Sequence, residues 1–214
     1  MHERGRGGHG GGSRGSMSLT KNVLVLGAAG GIARVATDLF LAEPDARLTL
    51  YLRDARRLMR VDAPRARVVE GDVLDTERLA QAMEGQDVVY ANLAGDLVPM
   101  AKSVVAAMHQ GGVRRLVWIS SMGIYGEVPG ERYSHMLDPY RDSARVIEDS
   151  DLDYTILRPG WFTNADEIDY ETTPKGEPFR GHDVSRKSVA SLVVQLATTP
   201  GLEIRRSLGV NKPV

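Results

Sequence analysis

The sequence predicts an α/β fold, a single doubly wound parallel sheet of about seven strands flanked by helices. Two observations predict it. Short β-branched runs, apolar at nearly every residue, alternate along the chain with longer stretches of three-to-four-residue apolar spacing. Strands that are apolar throughout belong in a parallel sheet covered on both faces. The first run also passes directly into a glycine-rich turn that opens a helix.

The strands are expected at Asn22–Leu26, Leu48–Leu52, Arg67–Glu70, Asp87–Leu93, Arg115–Ser120, Tyr154–Leu157 and, more weakly, Ser207–Val210. Between them the helical spacing covers Ile32–Leu41, Thr76–Met83, Val98–Gln110, Tyr140–Asp149 and Ser188–Ala197. Strand, helix and strand repeated in this way give right-handed crossovers. The glycine-rich residues 1–20 have too little apolar surface to offset ordering and are expected to be a disordered extension, so the domain spans 21–214.

The 214 residues suit one well-buried domain, and the net charge of −1 argues against nucleic acid as a partner. With no cysteine, thiolate metal sites and a thiol nucleophile are excluded. No apolar run reaches the length of a membrane span, so no membrane partner and a cytoplasmic location are expected. Histidines 2, 9, 109, 135 and 182 show no metal-ligand spacing, and no metal is assigned. The acids of NADEIDYET (Asp166, Glu167, Asp169, Glu171) read as a solvated loop.

The strand VLVL leads into Gly27-x-x-Gly30-x-x-Ala33. Gly27 permits the sharp turn, Gly30 or Gly31 lets backbone approach a pyrophosphate, and Ala33 lets the helix pack closely on the sheet. The helix start supplies free N–H groups and positive potential for the anion. In a strand–turn–helix context this is the dinucleotide fingerprint of the Rossmann fold. The cofactor is therefore assigned to Gly27, Ala29, Gly30, Gly31, Ile32 and Ala33. The second strand ends YLRDARRL, where Arg53, followed by Arg56 and Arg57, suits a ribose 2′-phosphate. NADP(H) is favoured over NAD(H), with Asp54 one residue on as the counter-argument.

In order, VLGAAGGIAR, YLRDARRL, VVEGDVLD, WISSMGIYG, LDYTILRPGWFT and VSRKSVA resemble the atypical branch of the short-chain dehydrogenase/reductase superfamily. The likeness is to the NAD(P)H-binding or NmrA-like group that includes biliverdin reductase B (flavin reductase). The resemblance implies Gly71, Asp72 and Val73 at the adenine, and Asn92, Leu93, Ala94 and Gly95 along the ribose and pyrophosphate. It further implies Ser120 and Ser121 beside the nicotinamide, with Pro159, Gly160 and Trp161 on its far side.

The superfamily's usual acid/base dyad is a Tyr with a Lys four residues on, which lowers the phenol's pKa. None of the seven tyrosines has it, and Tyr140, the nearest candidate, has Ala144 in the lysine's place. Ser121 matches a substrate-placing serine of the biliverdin reductase B-like enzymes, so Ser121 and Tyr140 are the candidate catalytic residues. Gly160 stands where those enzymes carry a histidine. His135, in a Gly/Pro-interrupted loop, reads as a surface histidine, and Arg158 on a buried strand as a structural pairing. Trp161 and Phe162 fit either the core or a stacking surface, and Ser185 or Ser188 an N-cap.

Two functions are carried forward. One is an NADPH-dependent reductase of a small substrate such as a flavin or quinone. The other is a non-catalytic NADP(H) sensor of the NmrA-like type. A small-molecule substrate and a monomer or homodimer are expected.

Overall fold

The computed structural model describes residues 20–58, 61 and 64–214, so the expected extension lies outside the described residues apart from Thr20. Among the described residues, ten strands and five α-helices follow in chain order: β1 (Lys21–Leu26), α1 (Gly31–Ala42), β2 (Ala46–Leu52), β3 (Ala66–Glu70), α2 (Thr76–Met83), β4 (Val88–Ala91), α3 (Leu97–Gly111) and β5 (Arg115–Ile119). Then come α4 (Asp138–Glu148), β6 (Asp153–Pro159), β7 (Trp161–Thr163), β8 (Glu171–Pro174), β9 (Asp183–Ser185), α5 (Arg186–Thr198) and β10 (Arg206–Asn211).

The main sheet runs β3-β2-β1-β4-β5-β6-β10-β8. Seven strands are parallel; β8 closes the edge antiparallel to β10. Alternate residues of β1 serve opposite cores. Val23 and Val25 pack under α1 and α5, while Leu24 and Leu26 pack under α2, α3 and α4. Burial on both faces is why these strands are apolar throughout. From β1 the chain winds outward to β2 and β3, then crosses back to β4 on the other side. That reversal opens a crevice beyond the carboxyl ends of β1 and β4, where such sheets bind ligands.

Five differences from the sequence reading bear on the site. β4 ends at Ala91; the Asn92 amide still donates to the Leu26 carbonyl at 2.9 Å, and Leu93 lies beyond the strand. β6 continues to Pro159, and α4 starts at Asp138 with Pro139 in its first turn, where the missing N–H costs nothing. The segment expected to be a solvated acidic loop includes an eighth sheet strand, with Glu171–Pro174 paired to Leu208–Asn211. Its proline is tolerated because the strand lies at an edge. Last, β7 and β9 form a separate parallel ribbon beside β6, unannounced by periodicity because each is three residues long.

Candidate functional site

At the end of β1, Gly27 takes φ +72°, and a Cβ there would overlap the Asn92 carbonyl oxygen. Its N–H donates to the Tyr51 carbonyl at 3.1 Å, and Gly30 N–H closes the turn onto the Gly27 carbonyl at 3.0 Å. Gly30 is the N-cap of α1; a Cβ on it would overlap Asn92 Nδ2. No side chain caps α1 and no acid stands in its first turn. The turn therefore presents uncompensated N–H dipoles to an anion. Ile32 and Ala33 turn their side chains into the core, so any contact from them is through backbone. Arg34, which the sequence reading passed over, braces the turn: Nε donates to the Ala29 carbonyl at 2.8 Å and NH2 to the Arg57 carbonyl at 2.7 Å.

A cleft of about 500 Å³ runs from this turn across the ends of β2, β3 and β4. Gly27, Ala29 and Gly30 line one side, Arg53, Asp54 and Arg57 another. Asp72 and Val73 follow β3, and Asn92, Leu93 and Ala94 follow β4. Tyr51 and Met100 also line it. Tyr51 Oη donates to the Asp72 carbonyl at 3.0 Å, and a Cβ on Gly71 would overlap that hydroxyl, so Gly71 is required by its neighbour. Burial raises the Tyr51 phenol above its ordinary pKa, keeping it a donor.

Arg53 and Asp54, the two residues expected to compete for the ribose, are differently occupied. Arg53 is exposed and makes no ion pair among the described residues. Asp54 is gripped by Arg56: Nε reaches Oδ1 at 2.9 Å, NH2 reaches Oδ2 at 3.0 Å, and the Arg56 amide also donates to Oδ1. These bonds hold the Asp54 carboxyl below its usual pKa.

A second cavity, about 420 Å³, lies at the ends of β5 and β6. Its walls include Ser120–Gly123, residues of the 128–137 loop, Tyr140, and Pro159–Phe162. Ser120 and Ser121 differ in a way the sequence could not show. Ser121 Oγ donates to the Met122 carbonyl at 3.1 Å. Ser120 is 6% exposed and its Oγ has no hydrogen-bond partner among the described residues. A buried hydroxyl without a partner points to a ligand atom or water. Ser120 and Ser121 thus differ in hydrogen bonding: Ser121 Oγ is engaged as a donor, and Ser120 Oγ is buried and unsatisfied.

Tyr140 stands in the wall, and Ala144, one turn on, is fully buried. Arg141 is engaged by Asp142 at 2.9 Å and Asp138 at 3.3 Å, and Arg145 lies outside this cavity. Neither replaces the missing ammonium. At Gly160 a Cβ would overlap the His182 carbonyl oxygen, so no side chain of any kind fits there, which accounts for the absent histidine. Trp161 is 63% exposed and stacked on His182 at 6.3 Å. With Phe162 at 40% exposure, the aromatic pair belongs to the cavity rim rather than to the core. His135 is exposed and faces Asp138 at 3.3 Å, while its neighbours Ser134 and Met136 line the cavity.

The cavity loop is pinned from below. Arg158 is fully buried in β6, ion-pairs with Glu127, and donates to Ser207 Oγ at 3.1 Å and the Thr173 carbonyl at 3.2 Å. Glu127 in turn accepts the amides of Gly123 at 3.0 Å and Tyr125 at 2.9 Å. The expected structural role of Arg158 is thus specific: it holds the chain just after Ser120. Ser185 caps α5 by accepting the Ser188 amide at 2.9 Å. Of the acids of 166–171, Asp166 pairs with Lys187, Glu167 pairs with Lys212 and Glu171 accepts from Asn211, and no group of three or more His, Asp or Glu able to hold a metal occurs among the described residues. Nor is any helix among them long and apolar enough to cross a membrane.

A doubly wound sheet with an uncapped helix start behind a glycine turn, and a cleft across the switch point, defines a dinucleotide-binding Rossmann protein. The chain belongs to the NAD(P)H-binding family, whose model matches residues 27–200. It is similar to a Rossmann-fold NAD(P)-binding family protein from Shigella flexneri, 43% identical, covering 91% of this chain and 94% of that one, TM-score 0.83. A short-chain dehydrogenase/reductase from Veillonella parvula in complex with NADP is 32% identical, with 90% and 95% covered and TM-score 0.82. Among curated relatives, an uncharacterized sugar epimerase, YhfK, of Bacillus subtilis is 26% identical over 80% of this chain and 86% of its own length. A (4-alkanoyl-5-oxo-2,5-dihydrofuran-3-yl)methyl phosphate reductase of Streptomyces griseus is 31% identical over 65% of this chain and 48% of its own.

Proposed function

We propose that the chain is an NADPH-dependent reductase of a small planar acceptor of the flavin or quinone class. The observation that carries this reading is the second cavity, with apolar and aromatic walls and one orphaned buried hydroxyl, Ser120 Oγ. It lies at the ends of β5 and β6, next along the sheet edge from the cofactor cleft. When bound, the cofactor supplies a hydride. Ser120 Oγ donates a hydrogen bond to a carbonyl oxygen or ring nitrogen of the acceptor and fixes its orientation. Trp161 and Phe162 offer ring faces to a flat molecule. A conjugated acceptor spreads the incoming electron pair over its ring and takes its proton from water, so the missing lysine beside Tyr140 is tolerated. Preference for NADPH over NADH is supported by an unpaired Arg53 beside an Asp54 already bound by Arg56.

The sensor reading keeps one specific observation in its favour: buried Ala144 stands where the dyad lysine would be. The epimerase named among the relatives is disfavoured by the same absence. Following loss of reduced-nicotinamide absorbance with flavin and quinone acceptors separates the readings. The reductase turns over at least one acceptor well above the buffer rate. Tight NADPH binding with no acceptor reduced refutes it in favour of the sensor.

A further inference from the structure

Helix α5 begins at Arg186, whose side chain reaches back to the start of α1. A Cβ placed on Gly31 would stand 3.0 Å from Arg186 Nε and 3.4 Å from its Cδ. The half-buried arginine therefore lies against the glycine turn itself. Two groups beyond β6 hold its tip. NH1 donates to Asn164 Oδ1 at 2.7 Å, and the guanidinium carbon stands 5.1 Å from the Phe162 ring centroid. Both partners are neutral, and Arg186 makes no ion pair among the described residues. The next residue, Lys187, is already paired with Asp166. So an oriented guanidinium with no counterion leans over a helix start that has no cap and no acid. Two positive electrostatic features side by side repel unless an anion is bound next to both.

We infer that Arg186 is a second, side-chain contact to the cofactor's pyrophosphate, reaching it from the α5 side of the glycine turn. The assignment rests on the NAD(P)H-binding reading of the cleft. Backbone N–H groups of the turn donate to the diphosphate. The planar fork of Arg186, pre-oriented by Asn164 and Phe162, adds the side-chain contact. Phe162 also lines the acceptor cavity, so the arginine that grips the cofactor is packed on a wall of the acceptor site. Its role is separate from that of Arg53, which addresses only the 2′-phosphate.

Calorimetric titration of the full chain with NADPH, NADH and adenosine 2′-monophosphate tests this. The last probe carries the 2′-phosphate but no pyrophosphate. For Arg186→Ala we expect NADPH and NADH to weaken by the same factor, about tenfold to a hundredfold for a lost charged hydrogen bond. Adenosine 2′-monophosphate should bind as it does to the parent, which also shows that the cleft is intact. Arg186→Lys, keeping charge without the fork, should fall between. An Arg186→Ala protein that binds NADPH as tightly as the parent overturns the assignment alone. Equal weakening of adenosine 2′-monophosphate also overturns it, by tracing the loss to the cleft as a whole. A parent that binds neither dinucleotide overturns the cofactor reading together with it.

Discussion

Glu127→Ala is the sharpest perturbation of the second cavity that can be read without any ligand. Arg158 is 0% exposed and the Glu127 carboxylate only 7%. With Glu127 truncated, the guanidinium keeps Ser207 and Thr173 as acceptors but loses its carboxylate. Breaking a buried pair from one side leaves an uncompensated charge and costs about 3–5 kcal/mol. The amides of Gly123 and Tyr125 also lose their acceptor, although water entering from the cavity can satisfy them in part. We therefore expect a loss of about 4–5 kcal/mol. That is a large share of the roughly 5–15 kcal/mol of a typical domain, and at this size it lowers Tm by roughly 8–20 °C. Arg158→Met should cost less, about 2–3 kcal/mol, because Glu127 keeps two backbone donors. The double variant Arg158→Met/Glu127→Ala should cost less than the sum of its singles, since neither charge is then stranded. Urea unfolding and scanning calorimetry give these values. Losses under about 1 kcal/mol, the size of an exposed pair, or strict additivity would refute the reasoning.

Gly30→Val should abolish dinucleotide binding while the fold survives, because its side chain must occupy the space of Asn92 Nδ2 at the mouth of the turn; undiminished NADPH affinity by calorimetry would place the site elsewhere. Arg53→Ala should weaken NADPH by about 1.5–3 kcal/mol and leave NADH nearly unchanged. Arg56→Ala should instead tighten NADH, by releasing the Asp54 carboxylate for ribose hydroxyls; equal effects on both cofactors in either variant would sink the assignment. Ser120→Ala should raise KM for the acceptor more than Ser121→Ala, whose hydroxyl is spent on Met122; the reverse order in steady-state kinetics would restore the role to Ser121. Tyr140→Phe should keep most activity, because no cation lies one turn on, and complete loss of turnover would show that this phenol is activated by another route.

Much of this protein was legible in the residues themselves. The seven parallel strands and five helices follow from local periodicity, because burial on both sheet faces writes itself into every residue of Val23–Leu26 or Leu116–Ile119. The glycine turn was equally legible, since Gly27 answers to a backbone angle and Gly30 to a close approach, and both leave a residue-type signature. Other features depended on partners far away in the chain. The edge strand Glu171–Pro174 exists only because β10 offers it an open ladder, and its polar residues carry no period of their own. Which of two adjacent serines is buried without a hydrogen-bond partner among the described residues depended on the path of the backbone after β5, not on residue type. The neutralisation of Asp54 needed the conformation of the arginine two positions on. The bar on any side chain at Gly160 came from His182, and the reach of Arg186 to Gly31 spans 155 positions. Hydrophobic pattern is read locally because burial acts residue by residue. Site chemistry was decided by tertiary structure because hydrogen bonds and charges act between groups that only the fold brings together.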